Sequence, residues 1–179
     1  MAYNQLNLMW KLLQTFVEIA AWRKGPQDLP ASRFLAALVL LAYIVASFIQ
    51  VRLLDLHLRS AVVIIAVDVT MMVAWLWAVL AFFGRRQRFI QTFTAMLGVG
   101  VLLALLDIAV RAIQLVTTGP ADNLPDLWLA LRFLAIALIM GRILMHALDR
   151  GLLTGMALTV AIIYSTAAVV QIVISRLHG

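Results

Sequence analysis

Apolar residues fill five long stretches of this chain, about 32–51, 61–83, 92–118, 127–147 and 151–174, with short polar or turn-forming segments between them. Each stretch is long enough, at about 1.5 Å per helical residue, to cross a hydrocarbon core of roughly 30 Å. The first 22 residues follow a different pattern. Leu6, Met9, Leu13, Phe16, Val17 and Ala20 fall on one helical face, and Asn7, Lys11, Gln14 and Glu18 on the other. That periodicity predicts an amphipathic helix from Asn4 to Trp22 lying in the membrane interface, with Trp10 and Trp22 at headgroup level. A partner-binding helix is the alternative. Gly25-Pro26-Gln27-Asp28-Leu29-Pro30 ends the helix by turn chemistry, and Ser32 is the expected N-cap of the first span.

The predicted fold is therefore all-α: a polytopic membrane protein with five transmembrane helices preceded by an amphipathic interfacial helix. Residues 1–31 form the cytoplasmic helix and turn, and 32–179 the transmembrane domain. Arg52 to Ser60 alternates leucines with Arg52, Asp55, His57 and Arg59, a pattern expected to skim the surface. Gly119 to Pro125 is a turn. The short Asp149-Arg150 junction makes the last two spans an antiparallel hairpin.

Composition excludes a soluble domain. The 179 residues are 65% hydrophobic and 12% charged, and the mean hydropathy is +1.04; soluble domains are about half apolar and a quarter charged. The net charge of +6 resides mainly between the spans. It is explained by anionic lipid headgroups and orientation signals, with no nucleic-acid partner implied. Lys11, Arg23, Lys24, Arg33, the loop arginines Arg85, Arg86 and Arg88, and Arg150 fall on one side; Arg52, Arg59 and Arg176 fall on the other. The basic side is cytoplasmic by the positive-inside rule. This expects a plasma (inner) membrane protein with its N-terminus in the cytoplasm and its C-terminus outside. Lys11 and Glu18 interrupt the N-terminal segment, so a cleaved signal peptide is not expected.

Four ionisable residues are the candidates for charges in the bilayer core: Asp68, Asp107, Arg111 and Arg132. Such groups are costly in a bilayer and mark functional or fold-specifying positions. Asp107, Arg111 and Gln114 share a helix face at i, i+4 and i+7. Asp68, Arg111 and Arg132 come out at similar depths, within about 10 Å of the midplane on its outer side, at the helical rise. The expected arrangement pairs Arg111 with Asp107 along its own helix and with Asp68 from the preceding one. Charge-balanced pairs in so small a chain favour a structural network; an ion or proton path, or a polar pocket, is the other reading. Gly151 and Gly155 form a small-xxx-small step suited to close helix packing, and Gly98 and Gly100 are read the same way.

The chain has no cysteine, and His57, His146 and His178 are scattered, so neither metal nor cofactor is expected. The eight methionines are expected to face lipid or fill packing gaps. No nucleophile–base pair or phosphate-binding glycine loop is present, and no enzymatic activity is expected.

An apolar helix, then Gly84-Arg85-Arg86-Gln87-Arg88-Phe89-Ile90-Gln91-Thr92, then a glycine-containing helix, resembles the central unit of the Yip family of Ypt/Rab-interacting-protein-like membrane proteins. The aromatic-led fourth helix from Trp128, His146 at its end and the tight junction into a small-residue fifth helix are similar too. The likeness covers about residues 61–174 and is closest to the prokaryotic branch. It implies five spans and a cytoplasmic N-terminus. The chain departs from the family pattern in having one loop glycine and no proline in the third span. The function expected is that of a non-enzymatic membrane scaffold or partner-binding protein, acting on other membrane proteins or through self-association. The alternative is a small transporter or ion- or proton-conducting protein that uses the intramembrane charges.

Overall fold

The computed structural model describes residues 2–53, 57–117 and 126–178. These residues form six α-helices and no strand: α1 (Ala2–Ala20), α2 (Arg33–Arg52), α3 (Leu58–Phe82), α4 (Phe89–Thr117), α5 (Asp126–Leu148) and α6 (Leu152–His178). Helices α2 to α6 are each long and apolar enough to cross a membrane. The chain is a polytopic membrane protein, as its hydropathy pattern requires. Ser32 caps α2 as expected, its hydroxyl accepting from the Leu35 N–H at 3.2 Å. The polar stretch after α2 is no separate skimming segment at its ends: Arg52 closes α2, and Leu58–Ser60 already belong to α3. Residues 54–56 and the expected turn from Gly119 to Pro125 lie outside the described residues.

Helix α4 is the centre of the bundle. Half of its most apolar window is buried, against 6% for α6, which shows most of its surface to the surroundings. Its most extensive packing is against α2, while α5 and α6 form the expected hairpin and α3 lies on α6 and α2. Thr92 and Thr94 sit fully buried in α4 without cost, because their hydroxyls donate to the carbonyls of Arg88 (2.8 Å) and Ile90 (2.7 Å).

The N-terminal helix is more closely tied to the bundle than a purely interfacial helix would be. Phe16 and Ile19 are buried and join the core with Leu76, Leu80, Leu97 and Leu144. The Phe16 ring lies in the space left open at Gly98, so that glycine admits a side chain and not a neighbouring backbone. Trp10, Leu13 and Val17 face outward from α1. The following turn is anchored too: Leu29 is 2% exposed, and its carbonyl accepts from the Gln91 side chain at 2.8 Å.

The basic loop acts as a staple between helix ends. Arg88 Nη1 donates to the carbonyls of His146 (2.9 Å) and Ala147 (3.2 Å). These belong to the last turn of α5, where carbonyls lack helical partners and a cation is favoured by the helix dipole. Arg88 and Arg85 also pair with Asp149 at 2.9 and 2.8 Å. The hydrogen bond from Arg88, reinforced by both charges, holds the Asp149 carboxyl below the usual carboxylate range. Arg86 lies over the Trp77 ring at 5.0 Å and Arg150 over Phe83 at 5.4 Å. Much of the loop's positive charge is thus committed within the protein.

Candidate functional site

The intramembrane charges do not pair as the helix spacing suggests. Asp107 projects from α4 into the bundle and is 4% exposed. Its Oδ2 accepts from Gln50 Nε2 of α2 at 2.7 Å, and its Oδ1 from Trp128 Nε1 of α5 at 3.2 Å. Arg132 Nε of α5 lies 2.7 Å from Oδ2 as the ion-pair partner, without the alignment of a hydrogen bond. Both carboxylate oxygens are therefore occupied by groups from two other helices. Arg111, one turn along α4, turns instead to Gln114, its Nη1 donating to Oε1 at 3.2 Å. The expected pairing of Arg111 with Asp107 and Asp68 is corrected on both counts: its Asp107 partner is Arg132, and Asp68 takes the Tyr43 hydroxyl at 2.6 Å.

Helix α2 explains the difference. It packs along α4 more closely than α3 does, and its residues Tyr43, Ser47 and Gln50 recur at i, i+4 and i+7 on one face. Tyr43 and Gln50 bring donors to both aspartates, one each. Gly100 of α4 makes room for this. A Cβ there would fall 2.7 Å from Tyr43 Cε2, so only glycine lets the ring lie against α4 with its hydroxyl on Asp68.

These groups border a partly open cavity of about 340 Å³ between α2, α3, α4, α5 and α6. Its polar lining is made by Tyr43, Ser47, Gln50, Asp68 and Arg132, together with Thr159 and Thr166 of α6. Its apolar wall includes Met72, Met96 and Met140. Three methionines expected in lipid or packing gaps thus line an internal space. The volume lies at the lower end of the roughly 300–1,000 Å³ typical of small-molecule pockets, and apolar walls with a few convergent polar groups are their usual make-up.

No family model, curated protein or solved structure matches the chain. The site is understood through its own chemistry. Asp107 is fully engaged and serves to position Arg132, Gln50 and Trp128. Asp68 and Arg132 are the charged groups that reach the cavity. Among the described residues no three His, Asp or Glu side chains gather as a metal site would need. Gly155 packs against α5, and Gly151 has no atom within 4 Å of a Cβ built on it, so the small-xxx-small step acts through one of its two members. The residues missed in the sequence, Tyr43, Ser47 and Gln50, carried a readable signal: three hydroxyl or amide side chains on one face of an otherwise apolar span.

Proposed function

We propose that this integral membrane protein is a small transporter that takes a solute into the cavity between its helices. The observation that carries the reading is the cavity itself, which brings Asp68, Tyr43, Gln50 and Arg132 from three helices to one partly open space inside the membrane-spanning bundle. Polar groups at that depth are costly unless they are paired or face a wet or occupied cavity. The scaffold reading has no comparable support. The exposed apolar residues of α3 and α6 are what any lipid-facing helix displays, and the loop arginines are engaged within the protein.

A thermal-shift screen of small solutes of differing charge on the purified protein should yield saturable stabilisers. The best of them should show counterflow into proteoliposomes containing the wild-type chain. Met140→Trp, which fills the cavity while leaving its charges in place, should abolish both effects. Solutes that bind but never cross the bilayer would reduce the protein to a membrane receptor or scaffold.

The Lys/Arg asymmetry supports a topology with the basic loop and the N-terminus in the cytoplasm of a plasma or inner membrane, as the Yip-like pattern also implies. The chain has no native cysteine, which makes the test direct. Cysteines introduced at Asn4 and Gly179 should label from opposite faces of intact cells, the latter from outside. Labelling of both from one face would rule out an odd number of spans.

A further inference from the structure

We infer that the ligand of this cavity is a small amphiphilic organic cation bearing one positive charge, with Asp68 as its counter-ion. The inference rests on the transporter reading and adds the substrate class. Two features of the cavity lead to it.

The first is charge. Asp107 and Arg132 neutralise each other at 2.7 Å. Asp68 has no basic partner among the described residues; its one hydrogen bond comes from the Tyr43 hydroxyl at 2.6 Å, to Oδ2. Oδ1 is left to the cavity that Asp68 lines. With its carboxyl ionised, Asp68 gives the cavity one negative charge that no residue lining it balances. A ligand cation would supply the missing charge. The Tyr43 side chain beside it lines the same cavity, and aromatic rings are favourable neighbours for an ammonium group.

The second is the placing of the methionines and the charged groups along the cavity. Counted from the helix ends at the basic loop, Met96, Met140 and Met72 lie about 10–15 Å deep at the helical rise. Asp68 and Arg132 lie about 21–24 Å deep on the same count. The methionines thus lie nearer the loop, with Thr159 beside them, and the two charged groups lie farther from it. A hard cation such as sodium or potassium would gain nothing from the three methionines, whose thioethers suit only soft metals. An amine or quaternary ammonium with an apolar body would use both halves, and methionine side chains adapt readily to apolar groups of differing shape. Arg132 does not favour an anion in the same place, since its charge is already matched by Asp107.

The test is equilibrium binding to the full-length protein in a non-ionic detergent. The probes are benzyltrimethylammonium, phenylmethanesulfonate as an anion of similar size, and benzyl alcohol as a neutral one. The cation should bind saturably and the anion far more weakly. Asp68→Asn should weaken cation binding by roughly ten-fold or more, the scale of a lost charge-assisted contact. Tyr43→Phe should weaken it less. Because Asp68→Asn could disturb folding, Met140→Trp provides a second variant that keeps the counter-ion and removes the space, and it should also lose the cation. Binding of the anion or the alcohol as tight as that of the cation, or an unchanged affinity in Asp68→Asn, would overturn the cation assignment while leaving the cavity as a binding site. If no probe binds saturably, or Met140→Trp binds as the wild type does, the binding cavity itself is refuted.

Discussion

Asp107→Ala should destabilise the protein by about 3 kcal/mol or more, the range found when one partner of a buried ion pair is removed. The loss extends beyond one ion pair. Gln50, Trp128 and Arg132 all converge on this carboxylate; the first two would lose a hydrogen-bond acceptor and the third its counter-ion. Arg132→Ala should cost less, about 1–2 kcal/mol, because its side chain is 36% exposed and solvent in the cavity screens part of the interaction. It also leaves Asp107 two hydrogen bonds. The double variant should cost less than the sum of the two, with a coupling in the roughly 0.5–3 kcal/mol range seen for contacting groups. Thermal or chemical unfolding in detergent would measure all three. Simple additivity would mean that Asp107 and Arg132 do not interact. The same cycle on Asp68 and Arg111 should be additive, since those side chains have separate partners, Tyr43 and Gln114.

The contrast between these two cycles shows what could be read from the chain. Hydropathy alone marks the five spans to within a few residues, because crossing a bilayer demands length and apolarity whatever the packing. All four charged residues lie within helices long and apolar enough to cross a membrane. Their partners did not follow, since pairing depends on which helices are neighbours. The short connection between α3 and α4 suggests adjacency, yet α2 packs most closely on α4 and delivers Tyr43 and Gln50. Local spacing was misleading in the same way. Asp107 and Arg111 are suitably placed at i, i+4, but the carboxylate finds two donors and an ion-pair partner on other helices, and Arg111 turns to Gln114.

The arginine loop illustrates a second limit. Its charge pattern indicates orientation, a property of the chain and the bilayer together. The pattern does not reveal that Arg88 caps the last carbonyls of α5, a distant helix end brought close only by the fold. Glycines divide in the same manner. Gly98 and Gly100 suggest places where helix backbones approach, yet each receives an aromatic side chain, Phe16 and Tyr43. A small residue announces space; which group fills it is decided by the neighbouring helix.

Gly155 is where that space is filled by backbone. A Cβ added there would run into the Gly141 carbonyl oxygen of α5, with the carbonyl carbon at 2.9 Å and Met145 N at 3.0 Å. The facing glycine is equally constrained: a Cβ at Gly141 would lie 2.9 Å from Met156 Cα and N. None of these atoms can move aside by a rotamer change, so even Gly155→Ala must push α5 and α6 apart. Overpacking of this kind costs typically 1–3 kcal/mol and sometimes more. The expected result is a clear fall in the unfolding midpoint for Gly155→Ala and failure to accumulate as folded protein for Gly155→Leu. Gly151→Ala is the matched control, with open space around it, and should fall within about 0.5 kcal/mol of wild type. The effect should also reach the cavity, because α5 supplies Arg132 and Met140 while α6 supplies Thr159 and Thr166. Separating the hairpin would shift one part of the polar lining from the other, so Gly155→Ala should lose solute binding even at temperatures where it stays folded. If Gly155→Ala is as stable as wild type and binds as well, the close contact between α5 and α6 does not exist in the membrane.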